Sequence, residues 1–143
     1  MNDFLTKCYT RDLRQLIKEI HSFREEGTLW STTGSIRNSS GNLVLHLVGG
    51  LNHLIGHLLG QTGYQRDRNR EFSEKYVPRT ELVQRVEALI PMITQVLQNL
   101  DLEAKYPIPF DDDQRTNGYV VTQLLAHLNY HLGQINYLRR TFE

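Results

Sequence analysis

The chain has 143 residues, a length that suits one domain with its own core and is short for two. Sixteen Lys and Arg residues balance sixteen Asp and Glu residues, so the basic excess that neutralises nucleic-acid phosphates is absent. No uninterrupted apolar run approaches the roughly 18 to 20 residues that cross a bilayer, and the charged N-terminal stretch does not resemble a signal peptide. We therefore expect one cytoplasmic domain over residues 1–143, with neither nucleic acid nor membrane as a partner.

Apolar residues recur at three- and four-residue steps in two segments of the N-terminal half, which predicts two helices. The first runs from about Asp3 to Phe23, and the second from about Asn42 to Leu59. Asn38, Ser39 and Ser40 precede the second segment, and each can cap the free N–H groups at a helix start.

Three glycines, Gly49, Gly50 and Gly56, lie inside the second predicted helix. Each costs up to about 1 kcal/mol relative to alanine in a helix interior. Small residues are favoured where another backbone or a ligand comes close, and both explanations remain open for these positions.

The C-terminal half predicts two further helices, from about Thr80 to Leu100 and from about Asn117 to Arg140. A polar connection from Tyr64 to Thr80 precedes them. It contains alternating charges between Arg66 and Glu71, a pattern typical of a salt-bridged loop or a subunit contact.

The two prolines between Tyr106 and Phe110 favour an extended segment, and a short β-hairpin arm before the last helix is a candidate. Four long amphipathic segments with almost no strand signal predict an all-α fold. The expected architecture is a four-helix bundle with long inter-helix loops.

Histidines cluster on the second and fourth predicted helices. His127 and His131 are four residues apart, which places both imidazoles on one helix face within reach of a common ion. At 3.6 residues per turn, His46, His53 and His57 share nearly one azimuth, but His46 and His53 are about 10 Å apart along the axis. Spacing alone therefore leaves two candidate centres, one at the level of His46 and one at the His53–His57 pair.

A metal ion explains this crowding. Buried imidazoles without partners are costly, and they repel one another when protonated. The residue after His127 is Leu128 rather than glutamate, so the zinc-protease helix motif is absent. Three neutral imidazoles leave a coordination position for water or substrate. An all-nitrogen ligand set suits one divalent ion of zinc, nickel or iron.

The run TQLLAHLNYHLGQINYLRR in the last helix, with NLVLHLVGGLNHLIGHLLG in the second, resembles the DinB-like superfamily of small four-helix metalloproteins. In that superfamily one histidine early in the second helix joins an HxxxH pair on the fourth. The resemblance implies that His46, His127 and His131 ligate the metal. It leaves His53 as a subsidiary ligand or supporting residue.

The superfamily includes bacillithiol S-transferases, so the resemblance implies transfer of a low-molecular-weight thiol. Metal-assisted hydrolysis is the alternative within the same chemistry. No general acid or base stands out, although Gln123 and Gln134 flank the HxxxH pair and are candidates for orienting a ring or a bound water. The competing class is a non-catalytic metal-binding protein or a dimeric interaction protein, and a homodimer is the expected assembly.

Overall fold

The computed structural model describes all residues from 1 to 143. Its helices are α1 Asn2–Ser22, α2 Ser40–Gly60, α3 Arg68–Ser73, α4 Arg79–Gln98 and α5 Asn117–Arg140. A 3₁₀ helix, Glu26–Trp30, lies between α1 and α2. No strand forms, which confirms the predicted all-α class, and the four long helices agree with their predicted bounds within a couple of residues.

The four long helices form a closed ring of contacts around one core. Helix α1 packs most extensively on α4, α4 contacts α2, α2 contacts α5, and α5 returns to α1. The apolar stripes of these helices meet inside the ring, where Leu13, Leu89 and Leu128 are fully buried. Burial of each such side chain contributes about 1.5–3 kcal/mol, so the periodicity read from the sequence accounts for the packing.

Helix α2 is the most buried helix of the bundle. An 18-residue window within Ser40–Gly60 has a mean hydropathy of 1.4. By length and composition this helix could cross a membrane, even though polar residues interrupt it. Of that window, 61% is buried inside the fold, as in the core helix of a soluble protein. Ser39 caps its N-terminus by accepting a hydrogen bond from the backbone N–H of Asn42.

The C-terminal part of α2 is not a regular α-helix, because Asn52–His57 forms a π-helical segment. The i→i+5 hydrogen bonds of a π-helix widen the turn. The assumption of 3.6 residues per turn therefore does not hold over this segment, which carries His53 and His57. The hydroxyl of the buried Tyr106 donates to the carbonyl of Leu54 within this segment at 2.6 Å.

The candidate β-hairpin before α5 folds back on itself but forms no strand. Two isolated antiparallel bridges pair Lys105 with Thr116 and Phe110 with Asp113. Prolines on either side of Ile108 remove the N–H groups that a continuous ladder needs, so the pairing stays local.

Helix α3 was not predicted, because six residues are too few for an apolar period. Asp67 caps it by accepting from the N–H of Arg70 at 3.1 Å. The fully buried Asn42 joins α3 to α2, since its side-chain amide donates to the carbonyls of Glu71 and Glu74, each at 2.9 Å.

We predict that Asn42→Ala destabilises the protein by about 2–4 kcal/mol, because it leaves two carbonyls near the α2–α3 junction without a donor. Chemical denaturation of wild type and variant measures the loss. Asn69→Ala on the exposed face of α3 is the matched control and should stay within about 0.5 kcal/mol of wild type. Equal effects of the two changes would contradict this role for Asn42.

Candidate metal centre

The structure brings together three histidines from two helices. His46 comes from α2, and His127 and His131 come from α5, with donor nitrogens that all lie within 4.8 Å of one another. The ring centroids of His127 and His131 are 4.4 Å apart, and those of His46 lie 5.2 and 5.3 Å from them. The His46 ring on α2 is therefore in direct contact with the two histidine rings on α5.

The spacing of the three rings fits one ion. Two nitrogens bound to one tetrahedral metal at about 2.1 Å lie about 3.4 Å apart. The Nε2 atoms of His127 and His131 are 2.9 Å apart and all the donor atoms lie within 4.8 Å of one another, so the rings reach that geometry when they move by about an ångström. Side-chain rotation on a fixed backbone is sufficient for such a shift.

A buried carboxylate orients the His46 ring. The Nδ1–H of His46 donates to Glu71 Oε1 at 3.0 Å, which leaves the lone pair on Nε2 for a ligand. Arg66 forms two hydrogen bonds with the same carboxylate, at 2.9 Å to Oε2 and 3.0 Å to Oε1. Because Glu71 is buried, this ion pair supplies the charge partner that the carboxylate requires.

The glycines of α2 make room for this carboxylate. A Cβ atom on Gly49 would lie 1.9 Å from Glu71 Oε2, whereas one on Gly50 would lie 3.4 Å from the flexible end of Arg66. At Gly56 the nearest atom is the sulfur of Met92 on α4, at 3.2 Å. Gly56 thus serves a close helix contact, and Gly49 serves an acidic side chain that approaches the helix backbone.

The two histidines of α5 are linked to each other and to Gln134. The His131 Nδ1–H donates to Gln134 Oε1 at 2.7 Å, so His131 Nε2 carries the lone pair. His127 Nε2 lies 2.9 Å from that nitrogen and is its hydrogen-bond donor in the metal-free protein. Metal binding would replace this hydrogen bond and shift the His127 proton to Nδ1.

The surroundings favour uncharged imidazoles. Partial desolvation against the bundle lowers the pKa of His127 to about 4 although one edge of the ring is exposed, and the neighbouring His131, His46 and Arg66 act in the same direction. Burial also lowers the pKa of His46, although the hydrogen bond and charge of Glu71 oppose that shift. Neutral rings are the form that binds metal, so few protons compete for these two sites at neutral pH.

His53 and His57 lie outside this cluster. Their rings stack on each other with centroids 5.8 Å apart, and both Nδ1 atoms are buried without a hydrogen-bond partner. The group of three that the structure brings within ligand distance contains neither residue. Of the two centres that spacing left open, the cluster is therefore at the level of His46.

The cluster contributes to two clefts. His46 and His127 line a cleft of about 340 Å³, here called the polar cleft, to which the polar residues Arg66, Arg68, Asp111 and Gln123 also contribute. His131 and Gln134 line a second, mainly apolar cleft of about 570 Å³. His127 is exposed, so solvent reaches the cluster.

Sequence reasoning missed Glu71 and Arg66 as parts of the site. Both belong to the charged run that was expected to be salt-bridged, and their ion pair agrees with that expectation. The signal that could have identified Glu71 was the pair of glycines one turn after His46, together with the Asp67 cap that starts α3.

A helical bundle in which two helices contribute three converging imidazoles defines a candidate metalloprotein. The sequence matches the family described as "Protein of unknown function (DUF1572)" over residues 3–143, so the chain belongs to that family. Comparison with curated proteins gives no match.

We predict that Glu71→Gln weakens metal binding about 10- to 100-fold, because the carboxylate no longer fixes the His46 ring. In the metal-free protein the pKa of His46 should fall further, since Glu71 raises it. Metal titration and histidine NMR measure the two effects. Glu74→Gln, which removes a carboxylate at the C-terminal end of α3, is the control and should change neither.

The glycine pair Gly49 and Gly50 offers a second way to disturb the contact between Glu71 and His46. Gly49→Ala should imitate Glu71→Gln because the new methyl group occupies the position of the carboxylate, whereas Gly50→Ala should bind metal normally. Normal metal affinity in both Glu71→Gln and Gly49→Ala would show that the carboxylate does not support the site.

Proposed function

We propose that this protein is a divalent-metal-dependent enzyme of the DinB-like superfamily, with His46, His127 and His131 holding one ion of zinc, nickel or iron. The observation that supports the proposal best is the convergence of three imidazoles, one of them backed by a buried carboxylate. An orienting carboxylate behind a histidine is the usual companion of a metal ligand.

Three histidine ligands would leave at least one coordination position for a small molecule. When bound, the ion supplies positive charge that lowers the pKa of a thiol or a water molecule. Glu71 keeps the His46 lone pair directed at the ion, and Gln134 does the same for His131. The exposed edge of His127 gives a substrate access.

The reaction that we propose is transfer of a low-molecular-weight thiol. The thiol loses its proton to solvent, its sulfur forms a bond to an electrophilic carbon, and the leaving group departs with its electron pair. Arg68 lines the polar cleft beside His46 and forms no ion pair, and Asp111 is the one acidic residue of that cleft. An unpaired guanidinium there suits a thiol that carries a carboxylate. Reduced thiols of this kind are abundant in the cytoplasm, the compartment that we propose.

Hydrolysis is the alternative reaction of the same centre, with water in place of the thiol. The exposed edge of the cluster admits water as readily as a thiol. Assays of both reactions with one protein preparation separate the two possibilities.

We predict that protein purified without a metal-binding tag carries about one divalent ion per chain, and that His46→Ala and His127→Ala each lose it. Elemental analysis of the untreated proteins measures the content. His53→Ala is the control, because His53 lies on the same helix as His46 but outside the cluster. Retention of metal in His46→Ala, or its loss in His53→Ala, would contradict the assignment.

We further predict that the metal-loaded protein accelerates the reaction of glutathione, cysteine or coenzyme A with 1-chloro-2,4-dinitrobenzene. The rate should fall to background in His46→Ala, with normal activity in His53→Ala. Absorbance of the thioether product measures the rate, and 4-nitrophenyl acetate tests hydrolysis. Metal binding without turnover in either assay would favour the non-catalytic metal-binding protein.

A further inference from the structure

The second cleft beside the histidine cluster has its own chemistry. We call it the tyrosine cleft. It runs between the C-terminal half of α5, the start of α2 and the loop that precedes α2. The side chains that form its walls are Ile36, Arg37, Leu43, Tyr130, Tyr137 and Leu138. Its volume of about 570 Å³ lies within the ~300–1,000 Å³ range of small-molecule sites.

Large apolar side chains remain exposed around this cleft. Tyr130 is 64% exposed and Tyr137 is 73% exposed, and they lie seven residues apart on the same face of α5. Ile36 faces the same space from the opposite loop and is 44% exposed. Exposed apolar groups that gather around a concavity mark a binding site more often than scattered ones do.

The charge of the cleft is positive and uncompensated. Arg37 is the one Lys or Arg residue that lines it, no acidic residue does, and Arg37 takes part in none of the ion pairs of the structure. The guanidinium of Arg140 lies beside the cleft, 5.2 Å from the centroid of the Tyr137 ring. An anionic group would therefore find charge partners here, together with apolar walls.

One end of the tyrosine cleft is formed by the histidine cluster itself. His131 and Gln134 contribute to its lining, whereas His46 and His127 line the polar cleft. A molecule bound among the tyrosines thus contacts the cluster at a different histidine from a molecule bound beside His46. The arrangement suits a reaction between two different substrates.

We propose that the tyrosine cleft binds a small apolar molecule, aromatic or alkyl, that carries one anionic group held by Arg37. Insofar as this molecule is the electrophilic acceptor of the thiol, the inference rests on the proposed function. The binding itself depends only on the cleft.

A second copy of the chain is the competing occupant, since a homodimer also buries exposed tyrosines. A two-fold interface places the same patch of both subunits face to face. Here that would bring two uncompensated Arg37 side chains, and two Arg140 side chains, together around a cleft whose lining holds no acidic residue. Like charges at such an interface oppose association, so the small anionic molecule is favoured.

Two fluorescent probes test the inference. The anionic probe is 8-anilinonaphthalene-1-sulfonate, and the neutral probe of similar shape is N-phenyl-1-naphthylamine. Arg37→Gln should weaken the anionic probe about tenfold and the neutral probe less than about twofold, because only the first has a charge to pair. Tyr137→Ser should weaken both about fivefold or more, since it removes apolar wall.

The control variants are Arg14→Gln and Tyr76→Ser, which change exposed residues of the same types outside the cleft. Both should bind the probes like wild type. Methyl NMR should show the largest shifts at Ile36, Leu43 and Leu138 when either probe binds. Circular dichroism of each variant verifies that the helices are retained.

The outcomes separate this inference from the proposed function. His46→Ala does not alter the cleft lining, so it should bind both probes normally even if it has lost metal and turnover. Equal loss of both probes in Arg37→Gln, or probe binding that survives Tyr137→Ser, would overturn the inference. The inference would also be overturned if sedimentation showed that the wild type is a dimer and that Tyr137→Ser dissociates it, because the cleft would then be a subunit contact.

Discussion

The arrangement of the site depends on the ion pair and the hydrogen bond that the buried carboxylate of Glu71 forms. An ionised carboxylate away from water costs several kcal/mol unless its charge and lone pairs are satisfied. Arg66 provides the charge, and His46 provides a further hydrogen bond. Helix α3 carries Glu71 to this position, and Gly49 on α2 leaves the space that it occupies. The orientation of the His46 ring on α2 is thus determined by a segment that contributes no histidine to the cluster.

Charge balance explains why His46 is suited to bind a metal and not merely to form an ion pair. Arg66 already neutralises Glu71, so a proton on His46 would leave a net positive charge in a buried place. Burial therefore keeps the pKa of His46 low despite the adjacent carboxylate. The neutral ring donates through Nδ1 and presents a lone pair on Nε2. Without Arg66 the same carboxylate would favour the protonated imidazole, which cannot ligate an ion.

Periodicity was enough to predict the four long helices, because each buries an apolar stripe that recurs every three to four residues. The pairing of His127 with His131 followed from the same geometry, since α5 is regular over its whole length. The level of His46 needed the family resemblance, because spacing alone left the His53–His57 pair open. The π-helical segment begins after Leu51, so the regular period assumed for α2 does not extend to that pair.

The apolar period does not predict Glu71 or α3, because the relevant contact joins residues 25 apart and has no period. A short capped helix around a polar residue has no apolar period, so a search for such periods does not distinguish it from a loop.

The site therefore has a rigid half and an adaptable half. His46 is held by a buried ion pair, whereas His131 is oriented by a single amide on its own helix and His127 is exposed. An ion bound here would be held by one ring with a buried support, His46, and by two rings on the more accessible α5 side. A small molecule that reached the cluster past His127 would leave the buried support of α2 undisturbed. The two α5 histidines line different clefts, His131 the mainly apolar one and His127 the one that it shares with His46, so the same cluster is reached from two spaces.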